Sequence, residues 1–108
     1  MKIHEISASV EQKDAEGIRS AFRALVDYPH DDSIEGATPF LLDLALYHVS
    51  HALLEDPATM PRGTCDALDL KQGATYAQGA QAARVQNKRF ARRFAEGTER
   101  RAAAGRAH

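Results

Sequence analysis

The chain has 108 residues, a formal net charge of −1, 44% hydrophobic and 27% charged residues, and one cysteine. That is the length of one domain with its own core, and a lone cysteine excludes an intrachain disulfide framework and points to a reducing, cytoplasmic setting. The longest apolar stretch, residues 40–54, contains Asp43, His48, Ser50 and His51 and is shorter than the roughly 20 residues that cross a bilayer, so no membrane span is expected; nor is a leader, since His4, Glu5, Ser7 and Ser9 break up the first residues.

Ser9 followed by Gln12 fits a capping box and predicts a helix starting there. At 100° per residue Val10, Ala15, Ile18, Ala21, Phe22, Leu25 and Val26 share an arc of about 160°, the pattern of a helix with one buried face. Pro29 should end it by Tyr28. The preceding segment holds Ile3 and Ile6, which do not alternate as in a strand, and is expected to be irregular. An acidic loop, residues 27–36, comes after the first helix.

Thr38 before Pro39 is a second start signal, a capping hydroxyl followed by proline where no N–H is needed. The helix, expected over residues 39–55, carries a main apolar arc of Leu41, Leu42, Ala45, Leu46, Val49, Ala52 and Leu53. A second strip, Phe40, Leu44, Tyr47, His51 and Leu54, lies on roughly the opposite side. A helix apolar on two sides is the centre of a bundle or half of an interface, so this strip should be covered by another helix or another chain. Asp56 and Pro57 close it.

Thr64, with Asp66 behind it, is expected to cap a short helical turn through Leu70. Gly73 can break or kink the next segment. The Ala-, Gln- and Arg-rich composition beyond it predicts a long helix over residues 74–102. Tyr76, Ala80, Ala83, Asn87, Phe90 and Phe94 share an arc of about 80°, and Arg84, Lys88, Arg89, Arg92 and Arg93 sweep the other side. The expected fold is therefore all-α, a small bundle of three main helices plus a short helical turn, in one domain over residues 1–108 with 101–108 frayed. Its core should contain Ile18, Phe22, Leu25, Leu42, Leu46, Val49, Leu53, Phe90 and Phe94.

Charge is distributed unevenly. Residues 1–82 hold six cations and thirteen acids, a balance of −7, whereas residues 83–108 hold eight cations and two acids, a balance of +6. Such asymmetry suits a polyanion partner or docking between the two halves. The basic face of Arg84, Lys88, Arg89, Arg92 and Arg93 could neutralise phosphates, but cations at a helix C-terminus also complement its dipole. Thr75, Gly79 and Val85 have the spacing of a helix-turn-helix, yet the next core position would be Lys88, so a continuous helix explains them better.

His48 and His51 supply at most two ligands, so no metal is assigned. Asp31, Asp32 and Glu35 lack the spacing of a calcium loop and are candidates for docking a basic surface instead. No phosphate loop, nucleophile elbow or paired acid and base is present, and Cys65 fits a small buried hydrophobe, so neither catalysis nor a cofactor is expected. The favoured reading is a non-catalytic regulator or inhibitor that docks on a protein partner or on a second copy of itself. Its candidate contacts are the Phe40, Leu44, Tyr47, His51 and Leu54 strip with Asp31, Asp32 and Glu35. The alternative is a nucleic-acid accessory protein that uses the basic helix.

Overall fold

The computed structural model describes residues 2–28 and 34–86. Over these the chain is all-α: α1 (Ile3–Glu11), α2 (Ala15–Asp27), α3 (Pro39–Ala52), α4 (Arg62–Ala67) and α5 (Tyr76–Val85). No strand is present among the described residues, and only the isolated bridges Lys2 with Glu35 and Thr59 with Thr75 interrupt the helical pattern.

The N-terminal segment is a helix rather than irregular. Ile3, Ile6 and Val10 are spaced three and four apart, which places them on one helical face; Ile6 is fully buried and the other two pack against the core. Two bonds fix the entry of α1: the Lys2 N–H donates to the Glu5 carboxylate at 3.2 Å and the Ile3 N–H donates to the Glu35 carbonyl at 3.0 Å.

Ser9 and Gln12 do not start the next helix; they sit at the end of α1. The Ser9 hydroxyl donates back to the Glu5 carbonyl at 3.1 Å, and Gln12 is the C-cap. Lys13 then turns left-handed at φ 55°. Its N–H reaches the Val10 carbonyl, and the Asp14 N–H reaches that of Ser9. These are the two reverse bonds of a Schellman ending, and they split the expected helix into α1 and α2, with Asp14 as the N-cap of the second. α2 ends with Tyr28 as its C-cap, the boundary expected from Pro29, although Tyr28 itself keeps α geometry at φ −51° and ψ −41°.

Thr38 caps α3 as its sequence predicts, its hydroxyl accepting from the Leu41 N–H at 3.2 Å. α3 is the centre of the bundle and packs on α1, α2 and α5, while α2 also packs on α1 and α4. Leu42, Leu46, Val49 and Leu53 meet Ile18, Phe22, Leu25 and Val26 in the core. Ser50, also buried, satisfies its hydroxyl on the Leu46 carbonyl at 2.6 Å.

α4 begins one turn earlier than its sequence suggests. Pro61 is the N-cap, and Thr64 lies inside the helix, buried together with Cys65. The helix closes with Asp69 in the left-handed region at φ 56°. α5 opens at Thr75, whose hydroxyl accepts from the Gln78 N–H while the Gln78 side chain accepts from the Thr75 N–H. Gly79 lets this helix approach closely, because a Cβ there would collide with the Met60 thioether and press on Leu68 at 3.3 Å. α5 runs to Val85, with Gln86 as its C-cap at ψ 19°; the rest of the helix expected to residue 102 lies outside the described residues. Phe90, Phe94 and the frayed end expected at 101–108 lie outside the described residues.

Candidate interaction surface

The second strip of α3 is solvent-facing over its N-terminal two thirds. Phe40 is 73% exposed, Tyr47 56% and Leu44 43%, and Leu41, which periodicity assigns to the main apolar arc, is exposed beside them rather than buried. His51 is exposed too, its ring stacked on Tyr47 with centroids 6.4 Å apart. Leu54 departs from the expectation: it is half-buried and packs against the core, because the chain turns after the Leu53 C-cap and folds the end of the strip inward.

On one flank of this strip α1 and α3 leave a groove of about 270 Å³ lined by Ile3, Ser7, Val10, Glu11, Leu41, Leu44, Ala45 and His48. Its floor is apolar, and Glu11 and His48 stand at its polar rim. The α1 wall is absent from the sequence-based expectation, although the spacing of Ile3, Ile6 and Val10 carries a signal for it. On the other flank α5 leans against α3, where Ala83 and Arg84 border Leu46, Tyr47 and Ser50.

Among the remaining candidates, Glu35 is exposed and Arg84 is exposed on α5. Asp31, Asp32, Lys88, Arg89, Arg92 and Arg93 lie outside the described residues, and among the described candidates the structure brings together Phe40, Leu44, Tyr47 and His51 on α3. Among the described residues no group of three or more His, Cys, Asp or Glu side chains is arranged to hold a metal, and no helix is long and apolar enough to cross a membrane. Cys65 is buried, its thiol 3.9 Å from the Met60 carbonyl.

No family model, curated protein or solved structure matches this chain. The chemistry of the surface itself is therefore the guide to its role.

A polar hub ties α2, the end of α3 and the start of α5 together. Arg19 of α2 donates from Nε to Asp56 Oδ2 at 2.7 Å and from a terminal nitrogen to Oδ1 at 3.0 Å. Asp56, whose side chain is 10% exposed, also accepts from the Ala58 N–H at 2.9 Å. Its carbonyl receives the Ala77 N–H, and the Ala58 carbonyl receives that of Tyr76. One residue thus links α2, the end of α3 and the start of α5. Nothing in the sequence pairs residues 37 positions apart, so Asp56 reads there only as a helix stop.

The Arg19 hydrogen bonds hold the Asp56 carboxyl below its ordinary value, with the Ala58 N–H adding to the effect and partial burial opposing it. A depressed carboxyl contributes stability that is complete above the unfolded-chain value near 3.8 and is lost as pH falls through the folded value. Thermal stability of Asp56→Asn is expected to fall below wild type at neutral pH. The gap between the two melting curves should be constant above about pH 5 and narrow as pH falls below about pH 4, and a gap that stays unchanged down to about pH 2 would remove Asp56 from the acid response.

Proposed function

We propose that this protein is a non-catalytic interaction module that receives an amphipathic helix of a partner protein on the α1–α3 surface. The observation that supports this reading is the contiguous run Phe40, Leu41, Leu44 and Tyr47 left in water beside an apolar groove. A helix docks in such a groove through apolar anchors at positions i, i+3, i+4 and i+7. Residues 1–86 carry a net charge of −6 and Glu11 stands at the rim, so the partner helix should have a cationic polar face.

The probe is a synthetic helix with leucines on one face and lysines on the other. It should bind saturably, and Leu44→Asp should abolish binding with the melting temperature almost unchanged. Affinity capture from cells, with nuclease present, should yield a protein that is lost with the same variant. Binding of duplex DNA or RNA that falls steeply with salt and ignores Leu44→Asp would replace this reading with the nucleic-acid one.

A further inference from the structure

The α1–α3 groove has two unlike ends. α1 and α3 run in the same direction: the Ile3 N–H meets the Glu35 carbonyl just ahead of α3, and at the other end Val10 and Lys13 line one cavity with Ala52, Leu53 and Asp56. Ile3 and Leu41 therefore share the end of the groove where both helices begin, and Glu11 and His48 share the end toward which both helices point their carbonyls.

A helix carries about half a positive charge at its start and about half a negative charge at its finish. At the Ile3 end the two helix starts add about +1, and Lys2 with Glu5 and Glu35 sum to −1, so that end is close to neutral. At the other end the two finishes add about −1. Glu11 contributes a further −1, no basic side chain occupies the last turn of α1, and Lys13 and Asp14 just beyond it cancel. Asp43 and Arg84, of opposite sign, lie off the groove. The groove is thus polarised along its length, near neutral at Ile3 and about −2 at Glu11.

The α1 wall, nine residues, is about 13 Å long at a helical rise, which accommodates anchors from i to i+7 spanning about 10 Å. A helix laid along it brings its own positive start and negative finish. Antiparallel to the walls, it sets its start against the Glu11 end; parallel, it sets its finish there, like against like.

We infer, granted that a cationic amphipathic helix docks on the α1–α3 surface as proposed above, that this helix lies antiparallel to both walls, with its N-terminal turn and a lysine or arginine of that turn at Glu11. The preference comes from solvated charges and should shrink as salt is added.

The orientation is read directly by magnetic resonance on the isotopically labelled full-length protein, titrated with the leucine–lysine probe helix carrying a nitroxide at one end or the other. The N-terminal nitroxide should broaden the amides of Glu11 and His48 severalfold more than those of Ile3 and Leu41, and the C-terminal nitroxide should do the reverse. Two isomers of the probe, with lysines gathered in the first or the last turn, give a second readout. At low salt Glu11→Gln should weaken the first-turn isomer roughly two- to fivefold and leave the last-turn isomer nearly unchanged. This substitution takes an acid from the last turn of α1, where the helix dipole disfavours one, so the thermal melt should be retained. Equal broadening at both ends, the opposite pattern, or a Glu11→Gln effect shared by both isomers would overturn the antiparallel placement and leave the groove standing as a docking site. Failure of every probe to bind saturably would remove the docking site and the orientation together.

Discussion

Leu46→Asp is expected to abolish the cooperative melt of this protein. Leu46 is 2% exposed at the centre of α3, the helix that touches α1, α2 and α5. Truncating a buried leucine alone costs about 2–5 kcal/mol, and a carboxyl group without partners in an apolar site adds a further few kcal/mol even when it takes up a proton. A domain of this size has about 5–15 kcal/mol in total, so the variant should lack a native baseline. Leu44→Asp, two positions earlier, places the same carboxylate in water and should change stability by only about 0.5 kcal/mol. Circular dichroism melts of the pair decide which face of α3 is core. A cooperative, near-wild-type melt of Leu46→Asp would show that the buried and exposed faces are reversed.

The sequence makes the helical class and the main core face legible because both obey local rules. Thr38 and Pro39 start α3 where capping chemistry requires, and Ile18, Phe22, Leu25, Leu42, Leu46, Val49 and Leu53 are buried as their spacing predicts. The errors share a cause. Ser9 and Gln12 satisfy the pattern of a helix start, but the same residues can end a helix if the next one accepts a left-handed backbone, and Lys13 does so at φ 55°. A lysine gives no signal for that conformation, whereas a glycine would have. Thr64 errs in the same way: a threonine that resembles a cap is carried into the interior because Pro61 starts the helix first.

The candidate surface is half legible. The strip on α3 emerges from periodicity, but a groove needs two walls, and its second wall depends on α1 folding as a helix against α3. Leu54 shows the limit in the opposite direction. Ideal periodicity assigns it to the exposed strip, and only the turn after Leu53, closed by the Asp56 N–H donating to the Leu53 carbonyl at 3.0 Å, brings it inward. The hub of Arg19, Asp56 and Tyr76 is not legible at all, since its members come from three segments with no shared pattern.

Tyr76 is the residue through which that hub holds α5, and its two natural truncations should separate its apolar from its polar role. Its ring is 2% exposed and meets Phe22 edge-on with centroids 6.3 Å apart, with the Arg19 guanidinium 5.9 Å from the ring centre. Its hydroxyl accepts from Arg23 at 2.9 Å. Tyr76→Ala removes the ring and is expected to cost about 3–5 kcal/mol, a fall in melting temperature on the order of 15–20 °C. Tyr76→Phe keeps the ring and loses only the hydroxyl. Arg23 is partly exposed and also donates to the Ser20 hydroxyl at 2.9 Å, so it can exchange the lost acceptor for water, and the cost should be about 1 kcal/mol. Denaturant titration of both variants measures the ratio. A Tyr76→Phe loss as large as that of Tyr76→Ala would mean that the Arg23 contact, rather than ring burial against Phe22, anchors α5, and an Arg23→Ala variant should then be equally unstable.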